Sequence, residues 1–153
     1  MIIHVARIPP AGLRCTGEDA ASVLELGEDP MATPSGPVHY DLMVSRIPGE
    51  LLARGKVSAE VIFRCARCAE GFARRVEDPD FNCLVTVKSD TESVDLTAEI
   101  REATILAFPS YPVCSPDCAG LCPHCGANLN RGKCGCRPSH DLRWGGLDKL
   151  DIK

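Results

Sequence analysis

The sequence has few aromatic residues, little net charge and no long apolar run. Aromatic side chains make up 5% of the 153 residues, so a core must be built mainly from Val, Leu, Ile and Ala. The formal charge of −4 argues against a protein that coats nucleic acid through overall positive charge, although a local basic patch is compatible with it. No stretch approaches the roughly 18 apolar residues of a membrane span, and the first residues lack the regions of a signal peptide. We therefore expect a cytoplasmic protein with no membrane partner.

The sequence also lacks the motifs of the common catalytic sites. It contains no glycine-rich phosphate loop and no nucleophile elbow, and no acid and base residues stand at a fixed spacing. Glu99 and Glu102 belong to what reads as the solvated face of a helix. These absences predict a protein that is not an enzyme and has no small-molecule substrate.

Cysteine, in contrast, is abundant, with ten residues. The expected compartment disfavours disulfides, and close pairs of cysteines are typical of metal-binding knuckles. The four close pairs are Cys65/Cys68, Cys114/Cys118, Cys122/Cys125 and Cys134/Cys136. Four thiolates in a tetrahedral cage suit zinc, although iron would also accept them, and a fully ligated zinc ion is structural because it leaves no position open for water.

The spacing favours one zinc site made of the last two pairs, Cys122, Cys125, Cys134 and Cys136. In CPHCG, two residues separate the thiols, and Gly126 permits the positive φ that turns backbone N–H groups toward sulfur. A second site would join Cys65 and Cys68 to Cys114 and Cys118 and would fasten the end of the chain to the sheet. A single site drawn from the six cysteines of residues 114–136 is the main alternative, and a cluster with shared thiolates is a minor one. We expect one or two zinc ions per chain.

The apolar pattern predicts an α+β fold, in which one main helix packs on an antiparallel β-sheet beside a zinc-organised, cysteine-rich C-terminal segment. Alternation with period two indicates four strands, over residues 38–46, 56–63, 71–77 and 81–87, with a bulge at Gly55. Residues 96–108 have helical periodicity, and Asp95 or Thr97 can cap the helix. Weaker patterns indicate a strand in residues 1–8, a short helix over 18–26 and an exposed loop over 27–37.

The expected organisation is a core domain over residues 1–108 and a cysteine-rich zinc-binding tail over 109–153. From Pro109 to Pro138 the sequence has almost no apolar periodicity, so this segment cannot bury enough apolar surface to fold alone. We therefore expect a metal to hold it. Leu142, Leu147 and Leu150, together with Trp144, favour a short amphipathic helix near the end of the tail.

Basic residues accompany both cysteine-rich regions: Arg64, Arg67, Arg74, Arg75, Arg131 and Lys133. A zinc ion with four thiolates carries a net negative charge, and the simplest interpretation is that these residues compensate it. The alternative is an arginine-rich face that binds RNA phosphate.

Several separated motifs together resemble one known family. They are Gly55, CARCAEGF at 65–72, LTAEIREATILAFPSYPVC, CAGLCPHCGANLN, CGC and DLRWGGLDKL, in this order. They are similar to the YceD family, the large ribosomal RNA subunit accumulation proteins. This resemblance implies a non-enzymatic bacterial ribosome-biogenesis factor that promotes large-subunit rRNA accumulation, binds metal and has that RNA or a ribosomal protein as its partner. Some members share the CxRC knuckle without the cysteine-rich tail, which counts against a second site that needs both.

Two other hypotheses remain at this point. The first is a zinc-dependent protein–protein adaptor without RNA contact. The second is a thiol oxidoreductase that uses Cys65 and Cys68, although the sequence after CARC reads as a strand and does not provide the helix N-terminus of a thioredoxin-type site.

Overall fold

The main element is an antiparallel sheet with the strand order β2-β3-β4-β5. In the computed structural model, residues 1–27, 29–89 and 92–136 are described. The strands of this sheet are β2 (Leu13–Asp19), β3 (Ala32–Ile47), β4 (Glu50–Arg64) and β5 (Gly71–Thr86). Two short strands, β1 (Ile2–His4) and β6 (Ser93–Asp95), form a second antiparallel pair. The α+β class and the antiparallel sheet expected from the sequence are thus confirmed.

The helix α1 (Thr97–Leu106) is the α-helix of the described residues. Asp95 accepts a hydrogen bond from the Thr97 backbone N–H at 3.0 Å, which supplies a partner to one of the free donors at the helix start. Leu96 and Ile100 are fully buried one turn apart, so the apolar side of the helix faces the core. Short 3₁₀-helices lie at Val5–Arg7, Ala21–Leu24 and Leu129–Arg131.

The core lies on one face of the sheet, beneath α1 and the N-terminal segments. Period-two alternation explains β4, in which Val57, Val61 and Phe63 are buried and Ile62, on the opposite face, is 42% exposed. The register between β4 and β5 shifts between Gly55 and Val57, which is the irregularity expected at Gly55. None of the helices in the described ranges has the length and apolarity that a bilayer crossing requires.

Three local predictions were wrong. The helix predicted over 18–26 is instead the end of β2 followed by a 3₁₀-helix, because residues 13–19 pair along their whole length with β3 and tertiary pairing overrides weak helix propensity. The loop predicted over 27–37 is strand from Ala32 onward. The strand predicted over residues 1–8 is limited to β1, after which the chain turns into a 3₁₀-helix.

The two strands predicted over 71–77 and 81–87 are one continuous strand, β5. On either side of Pro79, Gly55 pairs with Phe81 and Val57 pairs with Asp78. Pro79 therefore falls at the bulge of an edge strand, where the missing N–H removes no ladder hydrogen bond. The fourth strand of the sheet is β2, which the sequence pattern did not indicate.

Glu99 also departs from the expected solvated face of the helix. Its side chain is half-buried, and its Oε2 atom is enclosed without a hydrogen-bond partner among the residues that the structure describes. The short C-terminal helix predicted around Leu142, Trp144 and Leu147 lies outside the described residues.

Candidate metal centres

The first candidate centre, here called the first centre, joins two distant parts of the chain. Cys65 and Cys68 lie in the turn between β4 and β5, and Cys114 and Cys118 follow α1. The four Sγ atoms all lie within 4.8 Å of one another. Cys65 and Cys118 sulfurs are 3.8 Å apart, and those of Cys68 and Cys114 are also 3.8 Å apart. A tetrahedron with zinc–sulfur bonds of about 2.3 Å has edges of about 3.8 Å, so the spacing fits such an ion.

The turn between β4 and β5 is shaped to present its two thiols. The Cys65 N–H donates to the Glu70 carbonyl at 2.9 Å, and the Ala69 N–H donates to the Cys65 carbonyl at 2.8 Å. Ala69 has a φ of +59°, a left-handed conformation that closes the turn. The Arg67 N–H points at the Cys65 sulfur at 3.4 Å. Backbone donors around sulfur are typical of metal knuckles.

The segment after α1 docks on this turn through hydrogen bonds. The Ala66 N–H donates to the Pro112 carbonyl at 2.8 Å, and the Leu121 N–H donates to the Arg67 carbonyl at 3.0 Å. The Arg67 guanidinium reaches the carbonyls of Pro116 at 2.9 Å and Cys118 at 3.2 Å. The first centre therefore lies where the tail meets the end of the sheet.

The second centre is local and contains Cys122, Cys125, Cys134 and Cys136, whose sulfurs also all lie within 4.8 Å of one another. The Cys122 N–H donates to the Ala127 carbonyl at 2.8 Å, and the Gly126 N–H donates to the Cys122 carbonyl at 2.9 Å. Gly126 has a φ of +72°, which a glycine adopts at little cost. The eight paired cysteines are thus brought together in two sets of four, and all ten cysteines are free thiols.

Side chains between the two centres were not recognised from the sequence as part of the site. Asn130, which lies between Cys125 and Cys134 in the chain, donates from Nδ2 to the Cys118 sulfur of the first centre at 3.3 Å. Glu70, two residues after Cys68, accepts hydrogen bonds from Asn128 and Arg131. The sequence offered only the weak signal of two asparagines between cysteine pairs, since such long-range contacts have no periodicity.

Hydrogen bonding divides the thiols of the first centre into two kinds. Burial raises the pKa of Cys65, but three backbone N–H groups and the Cys68 side chain bring it down to about 6. The hydrogen bond from Asn130 lowers the pKa of Cys118. Burial and hydrogen bonds with neighbouring thiols raise the pKa of Cys114 to about 12. Because neighbouring thiolates repel one another, such a set loses all its protons only when a cation neutralises it.

The second centre follows the same pattern. Backbone N–H groups of Cys125 and His124 lower the pKa of Cys122 to about 6. The hydrogen bond with Cys125 and burial raise the pKa of Cys136 to about 12. Each centre thus offers four soft sulfur donors within 4.8 Å of one another, and each could hold one metal ion.

The basic residues singled out in the sequence fall into two groups. Three of them make hydrogen bonds or ion pairs within the protein. Arg64 donates to the carbonyls of Pro30 and Ala69, and Arg67 donates to carbonyls of the tail. Arg131 forms an ion pair with Glu70 at 2.7 Å. Arg75 donates to Ser58 at 3.0 Å and lies 3.5 Å from Glu77.

Arg74 and Lys133 are exposed. Neither makes a hydrogen bond or an ion pair within the described ranges. These two side chains, together with the exposed part of Arg75, are the ones that remain available to a partner.

Comparison with known proteins shows which family this chain resembles. The family model of the large ribosomal RNA subunit accumulation protein YceD matches residues 84–151. The uncharacterized protein Rv2926c of Mycobacterium tuberculosis is 30% identical, over 98% of this chain and 81% of its own length. The chain belongs to the YceD family. The resemblance recognised in the sequence is therefore confirmed.

Plant members of the YceD family are also similar to this chain. The large ribosomal RNA subunit accumulation protein YCED homolog 1, chloroplastic, of Zea mays is 26% identical over 70% of this chain and 51% of its own length. The protein of the same name in Arabidopsis thaliana is 36% identical over 40% of this chain and 19% of its own length. No solved structure matches.

Proposed function

We propose that this YceD-family protein is a non-enzymatic ribosome-biogenesis factor that promotes the accumulation of large-subunit rRNA in the cytoplasm. The observation that carries this proposal is the similarity to the two plant proteins, which are named for large ribosomal RNA subunit accumulation. The tail and the turn between β4 and β5 would then form the surface presented to the assembling subunit.

We further propose that each centre holds one structural zinc ion. The sulfur–sulfur distances of 3.8 Å in the first centre and the all-thiolate donor set of both centres support zinc. Cys65, Cys68, Cys114 and Cys118 would hold one ion, and Cys122, Cys125, Cys134 and Cys136 the other. Four protein ligands would leave no open position, so the ion would supply cross-linking and no catalysis. Native mass spectrometry with elemental analysis tests this: two zinc ions per chain are expected, and one ion, or iron, would contradict it.

The division into a core over residues 1–108 and a tail over 109–153 is part of the same proposal. Among the described residues, the apolar cluster of the sheet extends along the chain as far as Phe108. A separate small cluster surrounds Cys65, Cys68 and Cys118. In the part of the chain that the structure describes, Phe72 is the residue that packs against both clusters.

Contact with RNA would use the basic residues near the centres. Arg64, Arg67 and Arg131 are engaged within the protein, so Arg74, Arg75 and Lys133 are the stronger candidates. Replacing Arg74 and Arg75 with Glu should weaken binding to large-subunit rRNA fragments and reduce its salt dependence by about one unit of slope per lost phosphate contact. A matched control is the charge reversal of Arg54 and Lys56, which lie on β4 away from the centres.

A protein adaptor is the second candidate, and one observation favours it. Tyr111 and Leu121 are 62% and 40% exposed beside the first centre, and exposed apolar side chains are typical of protein contacts. If the Arg74 and Arg75 variant binds rRNA like the unmodified protein, while Tyr111→Ser abolishes association with ribosomal proteins, the adaptor function is correct and the RNA face is wrong. A thiol oxidoreductase is less favoured because the turn after Cys68 leads into β5 and not into a helix.

A further inference from the structure

We propose that the two metal centres are energetically coupled, and that Asn130 is the positioning residue that couples them. The loop of the second centre holds a ligand sulfur of the first, so the first centre keeps its ion best when the second is intact. This inference rests on the proposed function of both cysteine sets as zinc sites.

The Asn130 side chain has a fixed orientation. Its Oδ1 accepts the Ala119 N–H at 2.8 Å, and its Nδ2 donates to the Cys118 sulfur at 3.3 Å and to the Asn128 Oδ1 at 2.9 Å. If the amide were flipped, its NH₂ group would face the Ala119 N–H, and two donors cannot form a hydrogen bond. The network therefore allows one orientation of the amide. The amide therefore binds the backbone beside Cys118 and the sulfur itself, which is the arrangement of residues that orient metal ligands.

The position of Asn130 depends on the second centre. Asn130 lies in the 3₁₀-helix Leu129–Arg131, in the stretch between Cys125 and Cys134. The Asn128 side chain caps this helix through the Asn130 N–H at 3.0 Å, and the Leu129 N–H donates to the Gly120 carbonyl at 2.9 Å. A metal in the second centre closes this loop and removes most of the conformational freedom that would otherwise disperse these contacts.

A second contact from the same loop reaches the other half of the first centre. Glu70 Oε1 accepts from Asn128 Nδ2 at 3.3 Å and from Arg131 Nη2 at 2.7 Å. Since Glu70 closes the turn that carries Cys65 and Cys68, the loop contacts both halves of the first centre. Coupling of binding free energies is reciprocal, so an ion in the first centre also favours binding in the second.

The test uses the metal-loaded chain, four variants and one control variant. Asn130→Ala removes the amide, and Asn130→Asp keeps the Oδ1 acceptor but lacks the donor to sulfur. Cys134→Ser with Cys136→Ser disables the second centre, alone and combined with Asn130→Ala. Lys133→Ala is the matched control, because Lys133 is an exposed residue of the same loop. Zinc loss to a chelator is followed by native mass spectrometry.

Asn130→Ala and Asn130→Asp should each speed loss of the first-centre ion by about tenfold or more. In the chain without a second centre, Asn130→Ala should add little, because the loop no longer holds the amide in place. With cadmium-113 in place of zinc, the NMR resonance of the ion in the first centre should shift in both Asn130 variants and stay unchanged in Lys133→Ala. A general loss of stability would not change the chemical shift of the bound ion.

Suppose that the unmodified chain holds two ions but Asn130→Ala does not change the rate of zinc loss, or changes it equally whether or not the second centre is intact. Either result would overturn the coupling and leave the proposed metal sites standing. Fewer than two ions in the unmodified protein would overturn the proposed metal sites themselves.

Discussion

Metal removal is expected to disorder residues 109–136 and to leave the sheet folded. In this segment the buried residues are Cys118, Gly120 and Cys122, so burial of apolar side chains contributes little. Ordering the backbone costs about 1–2 kcal/mol per residue, whereas a hydrogen bond returns only about 1 kcal/mol net. A structural zinc ion contributes about 10–16 kcal/mol in small zinc domains. Without the ions the tail therefore lacks the interactions that keep it ordered.

The sheet should survive because its core does not depend on the tail. Residues such as Val57, Val61 and Leu42 are buried within the sheet cluster, and among the described residues Phe108 is the last along the chain that packs against it. Within residues 1–27, 29–89 and 92–136, the residue that packs against both this cluster and the cluster of the first centre is Phe72.

Hydrogen exchange with mass spectrometry measures both halves of this prediction. After treatment with a chelator, the amides of Leu121, Cys122 and Leu129, which donate hydrogen bonds in the structure, should exchange at nearly unprotected rates. Amides of β3 and β4 should keep their protection, and restoring zinc should restore the tail. The reasoning is refuted if the tail stays protected without metal, or if the strands lose protection together with the tail.

Three further predictions concern single groups. Gly55→Ala should lower the free energy of unfolding in urea by about 2–4 kcal/mol. A Cβ at this position would lie 2.1 Å from the Asp41 carbonyl oxygen, and the backbone of Gly55 has a φ of +155°. A loss below about 1 kcal/mol would contradict the bulge geometry. Asp95→Ala should cost about 1 kcal/mol, read as a lower melting temperature, through loss of the bond to Thr97 N–H. Metal retention should fall as the pH is lowered, because the released thiols, with an ordinary pKa of 9.0, bind protons that the metal-bound thiolates do not. Calorimetry in buffers of different ionisation enthalpy should detect protons released when the metal binds. Metal binding without proton release would contradict thiolate ligation.

The strands and the helix that the sequence predicted well are those with a single buried face. In β4, Val57, Ala59 and Val61 alternate with residues on the other face, and in α1 the apolar residues recur at helical spacing, so local periodicity carries the information. The strand β2 was missed because Glu18 and Asp19 are polar, and their conformation is decided by pairing with β3. The continuity of β5 was missed for the same reason, since only its pairing with β4 shows that the chain stays in the sheet through the bulge near Pro79.

In the candidate centres, too, local features could be predicted from the sequence and contacts between separate segments could not. Spacing along the chain suggested how the cysteine pairs group, because a knuckle is a local structure. The contact of Arg131 with Glu70 joins residues 61 positions apart, and that of Asn130 with Cys118 reaches from one cysteine set to the other. No pattern in a single sequence predicts either contact. For the same reason, Arg64 and Arg67 were considered for RNA binding although both hold backbone carbonyls of the protein itself.

The two centres have different mechanical roles, and single substitutions should separate them. The first centre links the turn after β4 to the segment after α1, so it is the point at which the tail is attached to the sheet. The second closes a loop within the tail. Cys65→Ser should therefore raise hydrogen exchange through most of residues 109–136, whereas Cys134→Ser should raise it mainly from Gly120 onward, where the loop contacts begin. The Ala66 N–H donates to the Pro112 carbonyl without help from any residue of the second centre, so exchange around Pro112 and Cys114 should rise strongly in Cys65→Ser and much less in Cys134→Ser. Equal profiles for the two would mean that attachment does not depend on the first centre.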